Sequence, residues 1–420
     1  MRLPPPGLKR DLLLALLFAL VAGAFRLPRL GVPNEEIFDE VYHAKSAREY
    51  LEGQPPTDWV HPPTSKLLIG VGIATFGYQP WAWRLMPALF GMALAFLFYL
   101  LARRALEAER PAVLATVLLL CDGVYLVQSR VAMTNIFAVA FQLGAALFVL
   151  QAVRRERLPA DGMLAAGLFL GLALSTRWTS LWCWGFLGLL VLAVRRLRVF
   201  RPRELALVAL TFGLAPALLY ALSYVPLMHI KHPEWALAPA SLGPFLAELW
   251  QEQKNVWGYH ATLNATHPYF SPWYTWPWLY RPTWYHYKAE GVVRGVIALG
   301  NPLLWWASVP VTLWALLTGL RPLDPRRLFA AAGFLLLYLP WALSPRTLNF
   351  SHYLFEAIPY ACLALGLLLD RAWDSRFDWA ARGYVVAVAV LFLFFYPVLA
   401  ALPLPLDVHL STWAWFRSWI

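Results

Sequence analysis

Long apolar runs alternate with short polar segments along the whole chain. A helix that spans a bilayer needs about 20 mostly apolar residues, and runs of roughly this length recur up to residue 400. Proline within several runs is compatible with spanning helices, because neighbouring helices can satisfy the freed backbone groups. The pattern predicts an all-α polytopic membrane protein with eleven spans, over residues 11–30, 82–102, 111–129, 132–152, 160–175, 177–194, 204–226, 292–318, 327–343, 352–370 and 379–400.

The composition supports a membrane protein. Of the 420 residues, 60% are hydrophobic and 14% are charged, whereas about a quarter of a soluble domain is charged. The aromatic content of 15% excludes a disordered chain. The N-terminus resembles a signal peptide, with Lys9 and Arg10 before an apolar run, but no small-residue cleavage site follows. We therefore interpret this segment as a first membrane anchor.

Arginine in alternate loops predicts the orientation. The loops on the side of Lys9 and Arg10 are all Arg-rich, namely 103–110, 154–161, 195–203, 321–327 and 370–378. By the positive-inside rule this side is cytoplasmic, and the C-terminus is outside. Orientation also accounts for the net charge of +11 without a nucleic-acid partner. We predict one membrane domain over 1–420 with two large outer loops, 31–81 and 227–291.

All nine histidines lie on or next to the predicted outer side. One explanation is that the inner loops simply prefer arginine. The other is that chemistry and polar recognition are concentrated outside. The three cysteines form no CxxC pair and indicate no disulfide framework.

The first outer loop carries two adjacent acids, Asp39 and Glu40, within a helix-like pattern from Glu36 to Tyr50. Adjacent helical residues point about 100° apart, so one acid can act on a substrate while the other braces the site. A carboxylate near the membrane is costly unless it is paired, which makes it a functional candidate. An interfacial salt bridge explains the spacing equally well.

Further along this loop, His61-Pro62-Pro63 predicts a stiff turn, and Lys66 opens a short amphipathic helix. Basic residues lie at the outer ends of predicted spans, at Arg26, Arg84 and Arg130. Guanidinium groups match phosphate oxygens, so these arginines are candidates for an anionic lipid headgroup. Arginines that only anchor helix ends are equally compatible with this placement.

The second outer loop is rich in Trp and Tyr between Trp250 and Tyr287, with His260 and His267 among them. These aromatic residues suit a belt at the headgroup level, and some of them could stack on sugars or on an acceptor peptide. The two histidines are candidates to hydrogen-bond a phosphate or a sugar hydroxyl. Arg346 and His352 are candidates for lipid-phosphate or structural contacts.

Several segments, taken in order, resemble the protein O-mannosyltransferase family of lipid-carrier-dependent GT-C glycosyltransferases, in its short bacterial form. They are FDEVYHAK (38–45), VHPPTSKLLIG (60–70), WRLMPALFG (83–91), CDGVYLVQSRVAMTNIF (121–137), STRWTSLW (175–182), YHATLNATHPYFSPWYTWPWLYRP (259–282) and NFSHYLFEAIPY (349–360).

The resemblance implies transfer of a sugar, normally mannose, from a polyprenyl phosphate to Ser or Thr hydroxyls of translocated proteins at the outer face, with inversion. It assigns the catalytic acid to Asp39 and its acidic neighbour to Glu40. It assigns donor phosphate contacts to Arg26 and Arg84, to which we add Arg130 and Arg346. Lower-ranked substrate contacts are Tyr42, His43, His61, Lys66, His260, His267 and His352.

The resemblance has limits. The family usually has Asp where Asn135 stands, and the β-trefoil insert of eukaryotic members has no counterpart in the roughly 65-residue loop 227–291. The sequence requires no cofactor and does not indicate a metal, although the scattered outer histidines would allow a divalent cation. A translocon or a second copy is a compatible partner. The alternatives are the same donor chemistry on a lipid or cell-wall glycan and, more remotely, a lipid or solute transporter.

Overall fold

The computed structural model describes residues 7–195, 201–235, 241–344, 346–406 and 412–420. His409 and residues 196–200 of the predicted basic loop 195–203 lie outside the described residues. The described chain is mostly helical, and it contains one antiparallel hairpin of two strands. Short 3₁₀ segments cover Trp273–Trp278, Leu339–Leu343, Ser351–Glu356 and Arg417–Trp419.

The helices follow one another with short connections. They are α1 (Leu8–Arg26), α2 (Glu40–Leu51), α3 (Thr64–Phe76), α4 (Pro80–Leu106), α5 (Glu109–Leu120), α6 (Gly123–Gln128), α7 (Asn135–Val153), α8 (Ala160–Leu174), α9 (Ser180–Arg195), α10 (Pro202–Ala209), α11 (Ala215–Ser223), α12 (Val225–Lys231), α13 (Leu242–Thr262), α14 (Pro302–Leu320), α15 (Pro325–Tyr338), α16 (Ile358–Trp373) and α17 (Asp378–Leu399). The strands are β1 (Thr283–Glu290) and β2 (Val292–Ala298).

Among the described residues, six helical segments are long and apolar enough to cross a membrane. They are Pro80–Leu106, Asn135–Val153, Pro202–Lys231, Pro302–Leu320, Pro325–Leu343 and Asp378–Leu399. Each overlaps a predicted span, and the other predicted spans coincide largely with α1, α5, α8, α9 and α16. The total of eleven spans stays a prediction.

Two predicted boundaries are wrong. Residues 292–298 form β2 rather than the start of a span, and α14 begins only at Pro302. The Val- and Ile-rich run of β2 favours a strand, but its apolar residues merged with those of the following helix in the sequence pattern. Likewise, α2 begins at Glu40 rather than Glu36, because Phe38 has a positive φ of 49°, which a right-handed helix cannot contain.

Residues 31–81, the predicted first outer loop, pack on the helical bundle through α3. Within the bundle α1 packs against α4 and α4 against α7, while α2 packs on α3 and α3 on α4. Gly72 permits the close approach of α3 to α4, since a Cβ there would lie 2.2 Å from the Ala82 backbone oxygen. This contact anchors the segment that carries Asp39 to the bundle.

Candidate active site

Asp39 lies at the N-cap of α2, and its carboxylate makes no capping hydrogen bond. None of the hydrogen bonds among the described residues involves this carboxylate. Burial raises the pKa of the Asp39 carboxyl, and the positive charges of His43, Arg346 and Arg177 oppose that rise. Asp39 is therefore a poorly solvated acid with cationic groups around it and no fixed partner.

The residue before Asp39 is held in an unusual conformation. Phe38 has φ of 49°, in the left-handed region that residues other than glycine rarely adopt. Its ring stacks on Tyr285, with the ring centroids 4.1 Å apart and the planes 5° apart. Tyr285 is itself fixed, because its hydroxyl accepts a hydrogen bond from Gln128 at 2.7 Å. The stacking fixes the backbone that presents Asp39.

Glu40 has the opposite environment, with both carboxylate oxygens fully engaged. Oε1 accepts from Arg84 Nε at 2.8 Å and from the Ala132 backbone N–H at 2.9 Å. Oε2 accepts from Arg84 Nη2 at 2.6 Å and from the Ile37 backbone N–H at 3.1 Å. Glu40 is 0% exposed. The structure thus corrects its prediction as a catalytic group, because no lone pair is left for a substrate.

Arg84 is equally occupied. Its remaining donors bind the backbone oxygens of Leu30, Pro33 and Glu35, at 3.2, 2.7 and 2.8 Å. A guanidinium group has five N–H donors, and all five are used here. The prediction that Arg84 contacts the donor phosphate is therefore wrong in this arrangement.

Arg26 and Arg130 are also structural. Arg130 donates to the backbone oxygens of Phe25, Arg26 and Pro28, at 3.2, 2.5 and 2.9 Å, and so caps the C-terminal end of α1. Arg26 is buried, donates to Ser129 Oγ at 2.7 Å and lies 3.9 Å from the Tyr125 ring centroid. The Arg130 guanidinium is bound to the protein, which argues against its predicted phosphate contact. Arg26 Nη2, in contrast, is buried without a hydrogen-bond partner among the described residues, so the phosphate contact of Arg26 stays a prediction.

A buried polar cluster is centred on Asp58, close to Asp39. His43 Nδ1 lies 3.1 Å from Asp58 Oδ2, and His61 Nδ1 lies 2.9 Å from Asp58 Oδ1. Lys66 donates to the backbone oxygens of Asp58 and His61, at 2.5 and 2.6 Å. Burial acts to raise the pKa of Asp58, but the charges of His61 and Lys66 hold it well below its usual value. Lys66 thus binds the protein, not a substrate as predicted.

The His43, Asp58 and His61 donor atoms lie within 4.8 Å of one another, a spacing that a metal ion could bridge. The ammonium of Lys66, however, lies 3.3 Å from Asp58 Oδ2 and already supplies the positive charge there. We interpret the set as a hydrogen-bonded cluster that fixes His43 one turn beyond Asp39.

Two arginines act electrostatically on Asp39, Arg177 and Arg346. Arg177 is held by Thr134 Oγ1 at 3.0 Å and Asn135 Oδ1 at 2.8 Å, so Asn135 has a role in positioning this cation. Arg346 differs, because its guanidinium forms no hydrogen bond with any described residue and its Nε is buried without a partner. Of the two arginines that act on Asp39, Arg346 is therefore the one whose guanidinium is free of described partners and able to bind an anion.

Histidines from three other segments complete the site. His260 Nε2 lies 3.1 Å from the Val60 backbone oxygen, and the ring is 6.0 Å from that of His61. The rings of His267 and His352 lie 6.3 and 6.1 Å from that of Phe38. His352 is buried, and its Nδ1 has no partner among the described residues. Tyr42 is 51% exposed, and its predicted contact with the substrate stays a prediction.

The sequence pattern missed three residues of this site, Asp58, Arg177 and Tyr285. Arg177 lies in a polar turn, STRWTS, between two apolar runs, and this position was the available signal. Asp58 lies three residues before His61, but nothing in its spacing distinguishes it from a loop acid. Tyr285 resembles the other aromatic residues of its loop.

Family models match nearly the whole chain. The model described as the C-terminal four TMM region of protein-O-mannosyltransferase matches residues 245–419. Two models described as dolichyl-phosphate-mannose-protein mannosyltransferase match residues 60–221 and 16–83. The chain belongs to the protein O-mannosyltransferase family.

Curated relatives of similar length exist in mycobacteria. A polyprenol-phosphate-mannose–protein mannosyltransferase of Mycolicibacterium smegmatis is 29% identical, over 95% of this chain and 91% of the relative. The Mycobacterium tuberculosis protein of the same name is 28% identical, over 96% of this chain and 90% of the relative. The predicted family is thereby confirmed.

Solved structures show the fold. The Saccharomyces cerevisiae Pmt1–Pmt2 complex bound to the sugar donor matches with a TM-score of 0.82 at 15% identity, over 98% of this chain and 93% of that one. ArnT from Cupriavidus metallidurans bound to undecaprenyl phosphate matches with a TM-score of 0.54 at 19% identity, over 92% of this chain and 70% of that one. The predicted GT-C membrane fold is confirmed, whereas the β1–β2 hairpin was not predicted.

Proposed function

We propose that this chain transfers mannose from a polyprenyl phosphate carrier to Ser or Thr hydroxyls of proteins, with inversion at the anomeric carbon. The names of its mycobacterial relatives state this donor and a protein acceptor. The observation that carries the proposal is the contrast between two adjacent acids. Glu40 is saturated, while Asp39 has no fixed hydrogen-bond partner and lies beside two arginines.

Asp39 acts as the general base. A hydroxyl is a weak nucleophile, so a positioned carboxylate accepts its proton as the new bond forms. The acceptor oxygen attacks the anomeric carbon, the bond from that carbon to the phosphate oxygen breaks, and polyprenyl phosphate leaves with the electron pair. Attack opposite the leaving group inverts the configuration. Burial raises the pKa of Asp39, which makes it a stronger base than a solvated carboxylate.

Arg346 binds the leaving phosphate, and Arg177 supports it. Negative charge grows on the phosphate in the transition state, and preorganised cations stabilise that charge. Arg346 has donors without a protein acceptor, including the buried Nε. Arg177 is fixed by Thr134 and Asn135, and its Nε lies 3.8 Å from Glu356 Oε1, so it contributes as a positioned, partly compensated charge. Arg346 belongs to the predicted set of Arg26, Arg84, Arg130 and Arg346, and Arg177 is an addition to that set.

The two outer loops supply most of the site within one membrane domain. Residues 31–81 provide Asp39 and the Asp58 cluster, and residues 227–291 provide His260, His267 and Tyr285. The Arg-rich loops support a cytoplasmic N-terminus and an active site on the extracytoplasmic face of the cell membrane. The acceptors are then secreted or membrane proteins. The yeast structure is a complex of two chains, which supports a search for a partner subunit here.

The test is transfer by the purified full-length chain in lipid nanodiscs. Polyprenyl phosphate mannose, labelled in the sugar, is offered with a Ser/Thr-rich peptide or with the same peptide carrying Ala at every Ser and Thr. We expect label on the first peptide only, and an anomeric configuration in the product opposite to that of the donor. Transfer with retention would overturn the single displacement. Labelled lipid or glycan with no labelled peptide would overturn the protein acceptor.

A further inference from the structure

A polar cavity outside the candidate active site lies between residues 32–35 and the β1–β2 hairpin, with a volume of about 340 Å³. Charged side chains dominate its lining, namely Glu35, His286, Lys288, Glu290 and Arg294. His286, Lys288 and Glu290 are alternate residues of β1 and therefore point to the same face of the hairpin. None of them takes part in the proposed transfer.

Two cations of this cavity are direct cross-strand partners. Lys288 of β1 is opposite Arg294 of β2 in the strand register. Like charges placed directly opposite each other destabilise a hairpin. Negative groups next to the two cations would offset this repulsion. Lys288 has such a group, since Glu290 lies 3.1 Å away. Arg294 shares the cavity with Glu35 and Glu290, but it forms no ion pair with any described residue, and its Nε is buried without a hydrogen-bond partner.

The other carboxylate of the cavity is directed elsewhere. Glu35 Oε1 lies 3.7 Å from His286 Nδ1, and so it faces the histidine. Arg294 is thus left with donors that match a carboxylate, which a guanidinium can bind through two parallel hydrogen bonds. A singly charged carboxylate also meets less repulsion from Glu35 and Glu290 than a phosphate would.

The cavity adjoins the backbone that carries Asp39. His286 follows Tyr285, whose ring stacks on Phe38. The Glu35 backbone oxygen accepts a hydrogen bond from Arg84, which also holds Glu40. A polypeptide with its hydroxyl at Asp39 would therefore have neighbouring residues within reach of this cavity.

The hairpin also offers backbone groups to an extended chain. Among the described residues β1 pairs only with β2, while the other edge of β2 is bridged to Leu404 at Val293. An unpaired strand edge is a template for an added strand. An extended segment on β1 would place alternate side chains on the same face as Lys288.

We propose that this cavity binds an acidic side chain of the acceptor polypeptide, near the glycosylated Ser or Thr, with Arg294 as the principal contact and Lys288 as the second. The inference rests on the proposed function, since it assumes a protein acceptor. It makes the enzyme selective for hydroxyl residues that have Asp or Glu nearby.

The experiment compares two peptides that share one Ser/Thr site and differ only in Glu or Gln at flanking positions. In phosphatidylcholine nanodiscs, the wild-type chain should show a kcat/KM about tenfold higher for the Glu peptide, as expected for one charge-assisted contact. The Lys288→Gln/Arg294→Gln double variant should bring this ratio close to one. Lys254→Gln, which removes an exposed lysine of α13, should keep the wild-type ratio.

Binding of the same fluorescent peptides, followed by anisotropy without donor, separates this inference from the proposed function. Preferential binding of the Glu peptide that the double variant loses would support the cavity even if no peptide were glycosylated. A wild-type ratio of one, or a preference that survives in the double variant, would overturn it. Phosphatidylglycerol is also added, and its binding to wild type and to the double variant is compared. If the two peptides bind equally and the double variant loses only the binding of phosphatidylglycerol, the cavity is a lipid-headgroup site and the proposal is wrong.

Discussion

The Glu40 carboxylate is bound by Arg84 through two hydrogen bonds, 2.8 Å from Nε and 2.6 Å from Nη2. This pair ties the start of α2 to α4 and lies deep in the protein, with both side chains at most 1% exposed. Asp39, one residue earlier, has no such partner. Of the two adjacent acids, Glu40 therefore stabilises the fold, while the carboxylate of Asp39 is available for catalysis.

Glu40→Gln should destabilise the fold strongly. The change leaves the Arg84 charge buried without its counter-charge, and breaking a buried pair in this way costs about 3–5 kcal/mol. We expect a corresponding loss in the free energy of unfolding, measured by chemical denaturation in detergent. Arg10→Gln is the matched control, because the Arg10–Glu109 pair is exposed and such pairs contribute about 1 kcal/mol or less. Equal losses in both variants would contradict the structural role of Glu40.

Asp39→Asn should raise the melting temperature at neutral pH. The folded-state pKa of Asp39 is raised by burial, so the folded state binds this proton more tightly than the unfolded state does. Stability is then lost as the pH rises from the unfolded pKa through the raised folded value. Asparagine carries no charge and avoids this cost.

The measurement is the melting temperature of wild type and Asp39→Asn as the pH rises from acid to neutral. The advantage of the variant should grow with pH. Asp161→Asn, at an exposed position of α8, should stay within about 0.5 kcal/mol of wild type. An Asp39→Asn chain less stable than wild type at neutral pH would contradict the raised pKa.

Arg346→Gln should weaken donor binding without unfolding the protein. The guanidinium has no described hydrogen-bond acceptor, so its loss breaks no internal contact. We expect the KM for the donor to rise about tenfold or more, because a charge-assisted hydrogen bond contributes about 1.5–3 kcal/mol, with little change in melting temperature. Arg130→Gln should do the reverse, since the Arg130 guanidinium holds the backbone oxygens of Phe25, Arg26 and Pro28. An unchanged donor KM in Arg346→Gln would remove Arg346 from the phosphate site.

Asp58→Asn should disrupt the cluster that fixes His43. The change removes the negative charge shared by His61 and Lys66 and leaves a buried ammonium uncompensated, which costs about 3–5 kcal/mol. The Asp58→Asn/Lys66→Met double variant, which removes both charges, should recover part of that loss. The loss in the free energy of unfolding is measured for the double variant and for each single variant. If the loss in the double variant equals or exceeds the sum of the two single losses, the two residues do not compensate each other as described.

Local patterns predicted much of the fold. Apolar runs and Arg-rich loops can each be recognised from residues that are close together in the sequence. The helices accordingly fall close to the predicted spans. Errors arose where one pattern fits two structures. The apolar residues of β2 continue into α14, and only the pairing with β1 distinguishes strand from helix.

The site was less predictable because its contacts join distant residues. An arginine at a helix end looks the same in sequence whether it anchors the helix, binds phosphate or caps another helix. Arg130 caps α1, about one hundred positions earlier in the chain. The Arg84 guanidinium is hydrogen-bonded to Glu40. Beside Asp39, the guanidinium without a described hydrogen-bond partner is that of Arg346, and nothing in its own segment distinguishes it from the other arginines.

The most direct test of the account is single-turnover transfer by wild type and Asp39→Asn, with binding of polyprenyl phosphate mannose measured separately on the same samples. Glu52→Gln, an exposed carboxylate just after α2, is the control. The account predicts normal donor binding and a transfer rate reduced about 10²- to 10⁴-fold in Asp39→Asn, the usual contribution of a general base, with wild-type behaviour in the control. An Asp39→Asn chain that binds donor and transfers mannose at the wild-type rate would contradict it.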